Sequence, residues 1–353
     1  MPLKRIDDYP AYLDAAWLEH LQPKPQNAPT VISTFAGCGG SSLGYSMAGF
    51  RELLAVEWDN NAVETFKLNF PDVPVYHGDI AKISVEDILK MTGLKVGELD
   101  VFDGSPPCQG FSTAGKRQID DPRNQLFREY VRLLRGLKPK VFIMENVSGM
   151  VKGVMKLVFV EILKELKASG YKVSARLLNA MYFGVPQSRQ RMIFVGVRDD
   201  LGIEPSHPEA ETDEIAPSKA FVDCGIEDRR LLSEWLKDAA TTIDAGNYNH
   251  KSVEKSFIRA KGKTSGSINT KMLSWSRVSC TITKSEIGET GMIHPDGERY
   301  LDISEIKRIG SFPDNFIFIG SRKDKVNRIG NSVPPLFMRS IARHVRKEIL
   351  ENA

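Results

Sequence analysis

Cys108 stands in the run Asp103-Gly104-Ser105-Pro106-Pro107-Cys108-Gln109-Gly110-Phe111-Ser112. The apolar stretch Leu99–Asp103 delivers a thiol into a stiff Pro-Pro turn, and a polar, glycine-bearing loop follows it. A nucleophilic cysteine needs such a mounting, at a strand end and facing a pocket, whereas a structural cysteine embedded in apolar sequence does not. A carboxyl group of suitable character is Glu145, at the end of the apolar strand Val141-Phe142-Ile143-Met144. Partial desolvation there favours a carboxyl that keeps or shares a proton; the rival reading is a helix cap. Gln187-Ser188-Arg189-Gln190-Arg191 adds two guanidinium groups, two residues apart and so expected on one strand face. Their rival reading is a surface ion pair.

A second constellation points to a cofactor. Phe35-Ala36-Gly37-Cys38-Gly39-Gly40 follows a predicted strand and opens a helix. Glycines there allow close backbone approach, and a helix N-terminus offers free N–H groups. Glu57, twenty residues after Gly37 at the end of the second strand, is placed to accept from a ribose diol. Asp79 follows the third strand, placed for an adenine amino group. Neither GxGxxG nor GxxxxGK[ST] is present, so a cofactor without a pyrophosphate is favoured, S-adenosylmethionine over NAD or ATP.

These residues are carried by an alternation of apolar runs and helical segments from Thr30 onward, which predicts parallel strands with crossover helices. Strands are expected near Val31–Phe35, Leu53–Glu57, Val75–His77, Asp100–Asp103, Val141–Glu145, Lys172–Asn179 and Met192–Val197. Helices are expected near Tyr9–Leu21, Ser42–Ala48, Asn61–Asn69, Val85–Met91, Leu126–Leu137, Leu157–Ser169 and Leu336–Leu350. Residues 199–225 turn rich in Pro, Glu and Asp and mark a boundary. The expected division is an N-terminal arm 1–28, a catalytic and cofactor-binding domain 29–199, a small target-recognition domain 200–321, and a segment 322–353 returning to the catalytic domain.

The 353 residues, 41% hydrophobic and 26% charged, are ordinary for a globular protein. The formal net charge of +3 is too small to argue for a nucleic-acid partner by itself. Local charge argues better: Lys251 to Lys284 carries eight Lys or Arg against Glu254 alone. Cys38, Cys108, Cys224 and Cys280 are scattered, as are the six histidines, so neither a disulfide framework nor a metal is expected. With no apolar leader and no long apolar run, a cytoplasmic protein off the membrane is expected.

Taken in order, Phe35–Gly40, Pro106-Pro107-Cys108-Gln109, Glu145-Asn146-Val147, Gln187–Arg191 and Gly330-Asn331-Ser332-Val333 resemble the signatures of the DNA (cytosine-5)-methyltransferases. The resemblance spans nearly the whole chain except residues 1–28 and most of 200–270. It implies an α/β fold, a mostly parallel seven-stranded S-adenosylmethionine-dependent methyltransferase sheet with a smaller inserted target-recognition domain. It implies that Cys108 adds to carbon 6 of a flipped cytosine, because carbon 5 is a poor nucleophile until the ring becomes an enamine. Glu145 would relieve charge at ring nitrogen 3, Arg189 would contact the base carbonyl and help hold the thiolate, and Arg191 would brace Glu145. The cofactor roles implied fall on Phe35 and Ile80 about the adenine, Glu57 on the ribose and Asp79 on the amino group. Gly37, Gly39 and Gly40 form the loop, and Trp58, Pro107, Leu126, Asn331 and Val333 complete the pocket. Core packing is the rival reading for Trp58 and Leu126.

The partner implied is double-stranded DNA. Residues 110–125, glycine at both shoulders and Lys116-Arg117 near the tip, are read as a lid over the flipped base, with Ser112 also at the DNA. Lys261 and Lys263 mark one reading loop of the basic stretch and the segment before Trp275 another, while Thr281 matches a family position that touches the backbone near the flipped base. A short recognition region suggests a target of about four or five base pairs. Where the family pattern runs Arg-Leu-Gln-Gly-Phe-Pro, this chain has Arg308-Ile309-Gly310-Ser311-Phe312-Pro313, and Gly310 is expected to loosen the small domain. The lack of an N-terminal regulatory domain suggests a bacterial or phage modification enzyme, acting as a monomer, with a cognate restriction endonuclease as a candidate partner. The rivals are a tRNA cytosine-5 methyltransferase of the same fold, a catalytically silent DNA-binding subunit, and an NAD-dependent oxidoreductase.

Overall fold

The computed structural model describes residues 2–107, 122–151, 155–234, 236–237, 271–283 and 291–353. The chain divides into two compact units, one of Met1–Trp17, Ala180–Arg189 and Ala210–Pro334, the other of Leu18–Asn179, Gln190–Glu209 and Pro335–Ala353. The expected C-terminal segment 322–353 therefore divides at Pro334, and residues 180–189 group with the unit that holds most of 200–321.

The larger unit is a seven-stranded sheet. Its strands are β1 (Thr30–Thr34), β2 (Arg51–Glu57), β3 (Val75–His77), β4 (Val101–Gly104), β5 (Val141–Val147), β6 (Tyr171–Asn179) and β7 (Gln190–Arg198). They lie in the order β3-β2-β1-β4-β5-β7-β6. The first five pair in parallel, and β7 runs antiparallel to both β5 and β6. Strand β1 is buried along its whole length, as strands covered on both faces must be. The helices α2 (Gly40–Met47), α3 (Asn60–Asn69), α4 (Val85–Thr92), α5 (Pro122–Leu137) and α6 (Met155–Lys167) alternate with these strands, and α1 (Tyr9–Leu21), most of which groups with the smaller unit, precedes them in the chain.

Local chemistry sets the helix ends. Asp59 caps α3 by accepting from the Ala62 N–H at 2.9 Å, and Ser84 and Asp87 form a capping box on α4, which Gly93 closes at φ 72°. Against one face of the sheet, Phe127, Tyr130, Val131 and Leu134 of α5 join Phe102, Phe142 and Phe194 in one apolar core. The Tyr130 ring stacks on Phe102 at 4.9 Å. The C-terminal helix Pro335–His344 packs on α2 at Gly44, where a Cβ would come within 2.6 Å of both Met338 Cβ and the Pro335 carbonyl oxygen.

Two strand boundaries differ from expectation in ways that matter. Strand β5 runs past Glu145 to Val147, because Val147 pairs with Arg191 and Glu145 with Ile193 across the antiparallel β5–β7 ladder. Strand β7 starts at Gln190, so Arg189 lies outside the ladder and does not share a strand face with Arg191.

The smaller unit is held by polar joints. The helix Ile303–Ile309 begins at a capping box of Asp302 and Glu305. Arg299 donates to Glu305 through two nitrogens at 2.8 and 2.7 Å, and Arg308 binds Asp314 at 2.9 and 2.6 Å. Phe312, Phe316 and Phe318 pack ring to ring. Gly310 does not loosen this unit, and that expectation is corrected. A Cβ there would stand 2.8 Å from Ile329 Cγ2, so the glycine lets the helix Arg322–Asn331 approach closely. The next residue, the fully buried Ser311, takes the left-handed turn at φ 60° where the family pattern has glycine.

Gly44→Ala is expected to destabilise the protein more than Gly310→Ala. The wall at Gly44 includes backbone atoms that cannot rotate away, while that at Gly310 is led by one isoleucine methyl. Overpacking costs about 1–3 kcal/mol, and the ranking is checked by urea midpoints of the two variants.

Candidate active site

In this strand order the chain runs outward from β1 through β2 to β3 and then returns to place β4 on the other side of β1. That reversal opens a crevice at the carboxyl ends of β1 and β4, the usual ligand position in open α/β sheets. The glycine loop leaves β1 at this point and the Pro-Pro turn leaves β4, so topology alone brings the two constellations together.

The loop after β1 is built from three residues with positive φ: Phe35 at 55°, Gly37 at 56° and Gly39 at 96°. Gly39 is walled in, since a Cβ would meet Phe70 Cε2 at 2.4 Å. Gly37 has no atom within 4 Å of its would-be Cβ, so the loop presents open space there. Glu57 fixes the loop from beneath: Oε2 accepts the Gly37 N–H at 2.8 Å, and Oε1 accepts the N–H groups of Trp58 at 2.7 Å and Asp59 at 2.9 Å. A carboxylate has about four lone-pair positions, so the three bonds leave room for another donor. The Trp58 side chain is 76% exposed. Asp79 caps a short 3-10 turn by accepting the Ala81 N–H at 3.0 Å, and Ile80 beside it is buried. Leu126 packs half-buried against the core, and Pro107 is exposed at the β4 end.

Beneath the crevice lie buried acids. Tyr45 on α2 donates its hydroxyl to Asp103 Oδ1 on β4 at 3.1 Å. Burial is the main cause that pushes the Asp103 carboxyl well above the usual carboxylate range. Ser42 donates to Glu52 at 2.9 Å, and desolvation raises Glu52 from 4.5 to about 7.

On the other side of β4, Arg191 Nε meets Glu145 Oε1 at 2.6 Å, and both side chains are largely enclosed. The neighbouring Asn146 faces the opposite way and is buried. Its Nδ2 donates to the Pro106 carbonyl at 3.1 Å, and its Oδ1 accepts the Val147 N–H at 2.9 Å. Asn146 thus fastens the turn that leads to Cys108 to the strand that carries Glu145. It was not singled out in the sequence; its position beside Glu145, on the other face of the strand, is the available signal.

In the smaller unit, Arg189 is buried and donates to the carbonyls of Ile282 at 3.1 Å and Gly330 at 3.0 Å. Gln187, also missed from sequence, accepts the Ile282 N–H at 3.1 Å and donates to the Ile309 carbonyl at 3.3 Å. Thr281 donates to the Ser188 carbonyl at 2.7 Å. Asn331 ends a helix, exposed, and Val333 is buried shortly after it. Cys108, Ser112, Lys116, Arg117, Lys261 and Lys263 lie outside the described residues. Among the described residues no helix is long and apolar enough to cross a membrane, and no three His, Cys, Asp or Glu side chains are grouped to hold a metal.

A family model described as C-5 cytosine-specific DNA methylase matches residues 29–347. The chain is 35% identical to the Type II methyltransferase M1.HphI of Haemophilus parahaemolyticus, over 90% of this chain and 87% of that one. It is 32% identical to the Type II methyltransferase M.NgoPII of Neisseria gonorrhoeae, over 94% and 99%. A solved structure titled as a putative DNA modification methyltransferase encoded within an Escherichia coli prophage superposes with a TM-score of 0.70 at 25% identity, covering 92% of this chain and 100% of that one. The chain belongs to the C-5 cytosine-specific DNA methylases. It is a DNA (cytosine-5)-methyltransferase of bacterial modification type, a reading supported over the tRNA-acting alternative. Family and fold imply the use of S-adenosylmethionine, and the open space at Gly37, the remaining acceptor position on Glu57 and the exposed Trp58 ring fit it.

Two outcomes are expected here. Glu57→Gln replaces one of the two oxygens that shape the glycine loop with an amide group that cannot accept. It should weaken S-adenosylmethionine binding about tenfold or more and lower stability by about 1–3 kcal/mol, measured by calorimetry and by urea unfolding. For Glu52, protonation is favoured in the folded state, so stability is full below about pH 4.5 and declines as pH rises to about 7. One pKa unit is about 1.4 kcal/mol, so the loss is about 3 kcal/mol. Urea titrations at pH 5 and pH 8 should show Glu52→Gln gaining on the wild type at the higher pH.

Proposed function

We propose that the enzyme attacks carbon 6 of a cytosine flipped from duplex DNA with the thiolate of Cys108 and hands a methyl group to carbon 5. The observation that carries this reading is the join at the end of β5. Glu145 is clamped by Arg191 at 2.6 Å, and the adjoining Asn146 holds the Pro106 carbonyl two residues before Cys108. The strand that carries Glu145 is thereby tied to the turn that leads toward Cys108, as a reaction on a single ring requires.

The thiolate forms the bond to carbon 6, and the ring electrons move toward nitrogen 3, where Glu145 meets the developing charge through a hydrogen bond. Arg191 keeps the Glu145 carboxyl aimed. S-adenosylmethionine, held at the glycine loop, would supply an electrophilic methyl that carbon 5 takes as the S–CH3 bond breaks, with S-adenosylhomocysteine as leaving group. Water would take the carbon 5 proton, so that the thiolate leaves and the aromatic ring is restored. Phe35 and Ile80 would flank the adenine, Asp79 would take its amino group, and Glu57 would take the ribose. Gly37, Gly39 and Gly40 give the loop its close approach, and Trp58, Pro107, Leu126, Asn331 and Val333 line the site. Arg189, two of whose nitrogens donate to the Ile282 and Gly330 carbonyls, is the group we assign to the base carbonyl and to holding the thiolate.

Lys116 and Arg117, with Ser112, meet the DNA from the loop after Cys108. Lys261, Lys263 and Thr281 do so from the recognition region, which reads a short target. The relatives' designation as Type II methyltransferases supports a modification role beside a cognate restriction endonuclease. The domain division expected from sequence, with 29–199 catalytic and 200–321 recognising the target, is kept as the functional division.

The test is cytosine-conversion sequencing of DNA from a methylation-free host expressing the wild type or Cys108→Ala. One short context protected by the wild type and by no detectable fraction in the variant is expected. Protection that persists in the variant would refute the thiolate mechanism.

A further inference from the structure

An exposed tryptophan stands on a tip of the smaller unit that neither the chemistry nor the cofactor uses. Trp275 follows the short strand Lys271–Met272, which pairs in parallel with Met292–Ile293. Trp275, Ser276 and Arg277 are three exposed residues in a row, and the Trp275 side chain is 45% exposed. The tip is shaped by a local turn, in which the Ser276 N–H donates to Ser274 Oγ at 3.3 Å. It is anchored from behind by the Ser218 N–H, which donates to the Trp275 carbonyl at 3.2 Å.

The indole is already fixed. It meets the His294 ring edge-on with centroids 5.0 Å apart and the Phe221 ring at 6.3 Å, while Phe221 and His294 stack on each other at 5.6 Å. His294 is in turn buried, with Nδ1 2.8 Å from Asp296 and Nε2 3.4 Å from Glu305, the residue that grips Arg299; burial pushes its pKa down, so the ring packs there uncharged. A large ring packed on rings that are themselves held in place has already lost much of its rotamer freedom. A partner that covers it meets little further ordering cost.

The surroundings indicate which partner. The tip belongs to the stretch 251–284, whose eight Lys and Arg face a single acid in the sequence. A few residues on, the same segment is stitched to the Gln187–Arg189 run: the Ser188 N–H donates to the Ser279 carbonyl at 2.7 Å and Thr281 to the Ser188 carbonyl at 2.7 Å. Trp275 is six residues from Thr281, so at about 3.4 Å per residue the two Cα atoms are within roughly 20 Å. That distance is roughly six base-pair steps of duplex. A fixed aromatic ring next to a guanidinium, in a basic segment of a DNA-modifying enzyme, suits contact with nucleotides by packing or stacking.

We propose that Trp275 is a DNA-contacting residue that packs its exposed ring on the duplex beside the target cytosine and so contributes to target choice. This rests on the recognition role proposed for residues 251–284.

Trp275→Ala and Trp275→Phe are compared with the wild type on a duplex carrying the target found by conversion sequencing and on one with altered flanks. Aromatic stacking on an open base is worth about 1–3 kcal/mol, and a ring packed on a duplex meets less of a base than that. The Ala variant should therefore bind the target duplex about 5-fold more weakly, the low end of that range, and spread methylation over more flanking contexts, while the Phe variant keeps most of both. S-adenosylmethionine affinity and melting temperature should stay at wild-type values. Unchanged DNA affinity and unchanged flanking preference in the Ala variant overturn the proposal. So does an equal loss of cofactor affinity and thermal stability, which marks a packing role. If the Ala variant does not fold, the tryptophan emission lost between wild type and Trp275→Phe is followed on adding duplex, and emission indifferent to DNA overturns it too. Wild-type methylation in the same assay separates these outcomes from a failure of the mechanism itself.

Discussion

The parallel pairing of β1 with β4 is the constraint on which the site depends. Ile32 opposite Phe102 and Thr34 opposite Gly104 put the two strand ends level. Level ends make the glycine loop and the Pro-Pro turn start from one line, with no choice left to either loop about where it begins. Gly104 is part of this arrangement, because a Cβ there would lie 2.4 Å from Thr34 Oγ1 and 2.7 Å from the Tyr130 ring. Thr34 uses that closeness to donate to the Asp103 carbonyl at 2.9 Å, a cross-strand bond outside the ladder. A bulkier residue at 104 would press on Thr34 and Tyr130 and push the ends of β1 and β4 apart.

On either side of this seam the enzyme holds loops by their backbones and leaves side chains for ligands. Glu57 spends its carboxylate on three N–H groups of the cofactor loop and its neighbour. Asn146 spends its amide on the nucleophile turn. Arg189 and Gln187 do the same for the segment Thr281–Ile282 in the smaller unit. Each is a polar group held buried or nearly so, where an unmade hydrogen bond is costly, so each loop has one conformation that satisfies its brace.

Much of this was legible in the sequence. The seven strands and the helices between them were, because parallel strands buried on both faces read as unbroken apolar runs and the helices carry their caps in view, as Ser84 with Asp87 does. The Glu145–Arg191 pair was legible through the family resemblance. What stayed hidden were facts fixed by tertiary register. That β7 starts at Gln190, which takes Arg189 off the strand that carries Arg191, is decided by where β6 pairs it. That Gly310 tightens its unit depends on Ile329, nineteen positions away. Asn146 and Gln187 bond to backbone carbonyls and amides, which carry no residue signature.

The acids beneath the site follow from the same economy of charge. A nucleophile that must be an anion is disfavoured by any fixed negative charge near it. Asp103 is on the strand that leads to Cys108, and Glu52 and Glu145 are among the charges that bear on it. Burial answers the conflict by holding the Asp103 proton on the carboxyl, so the strand gains a hydrogen-bonded brace to Tyr45 of α2 without a charge. The helix that begins at the cofactor loop is thereby joined to the strand that ends at the nucleophile through a neutral contact. Asp103 is thus held by a hydrogen bond and Glu145 by an ion pair with Arg191.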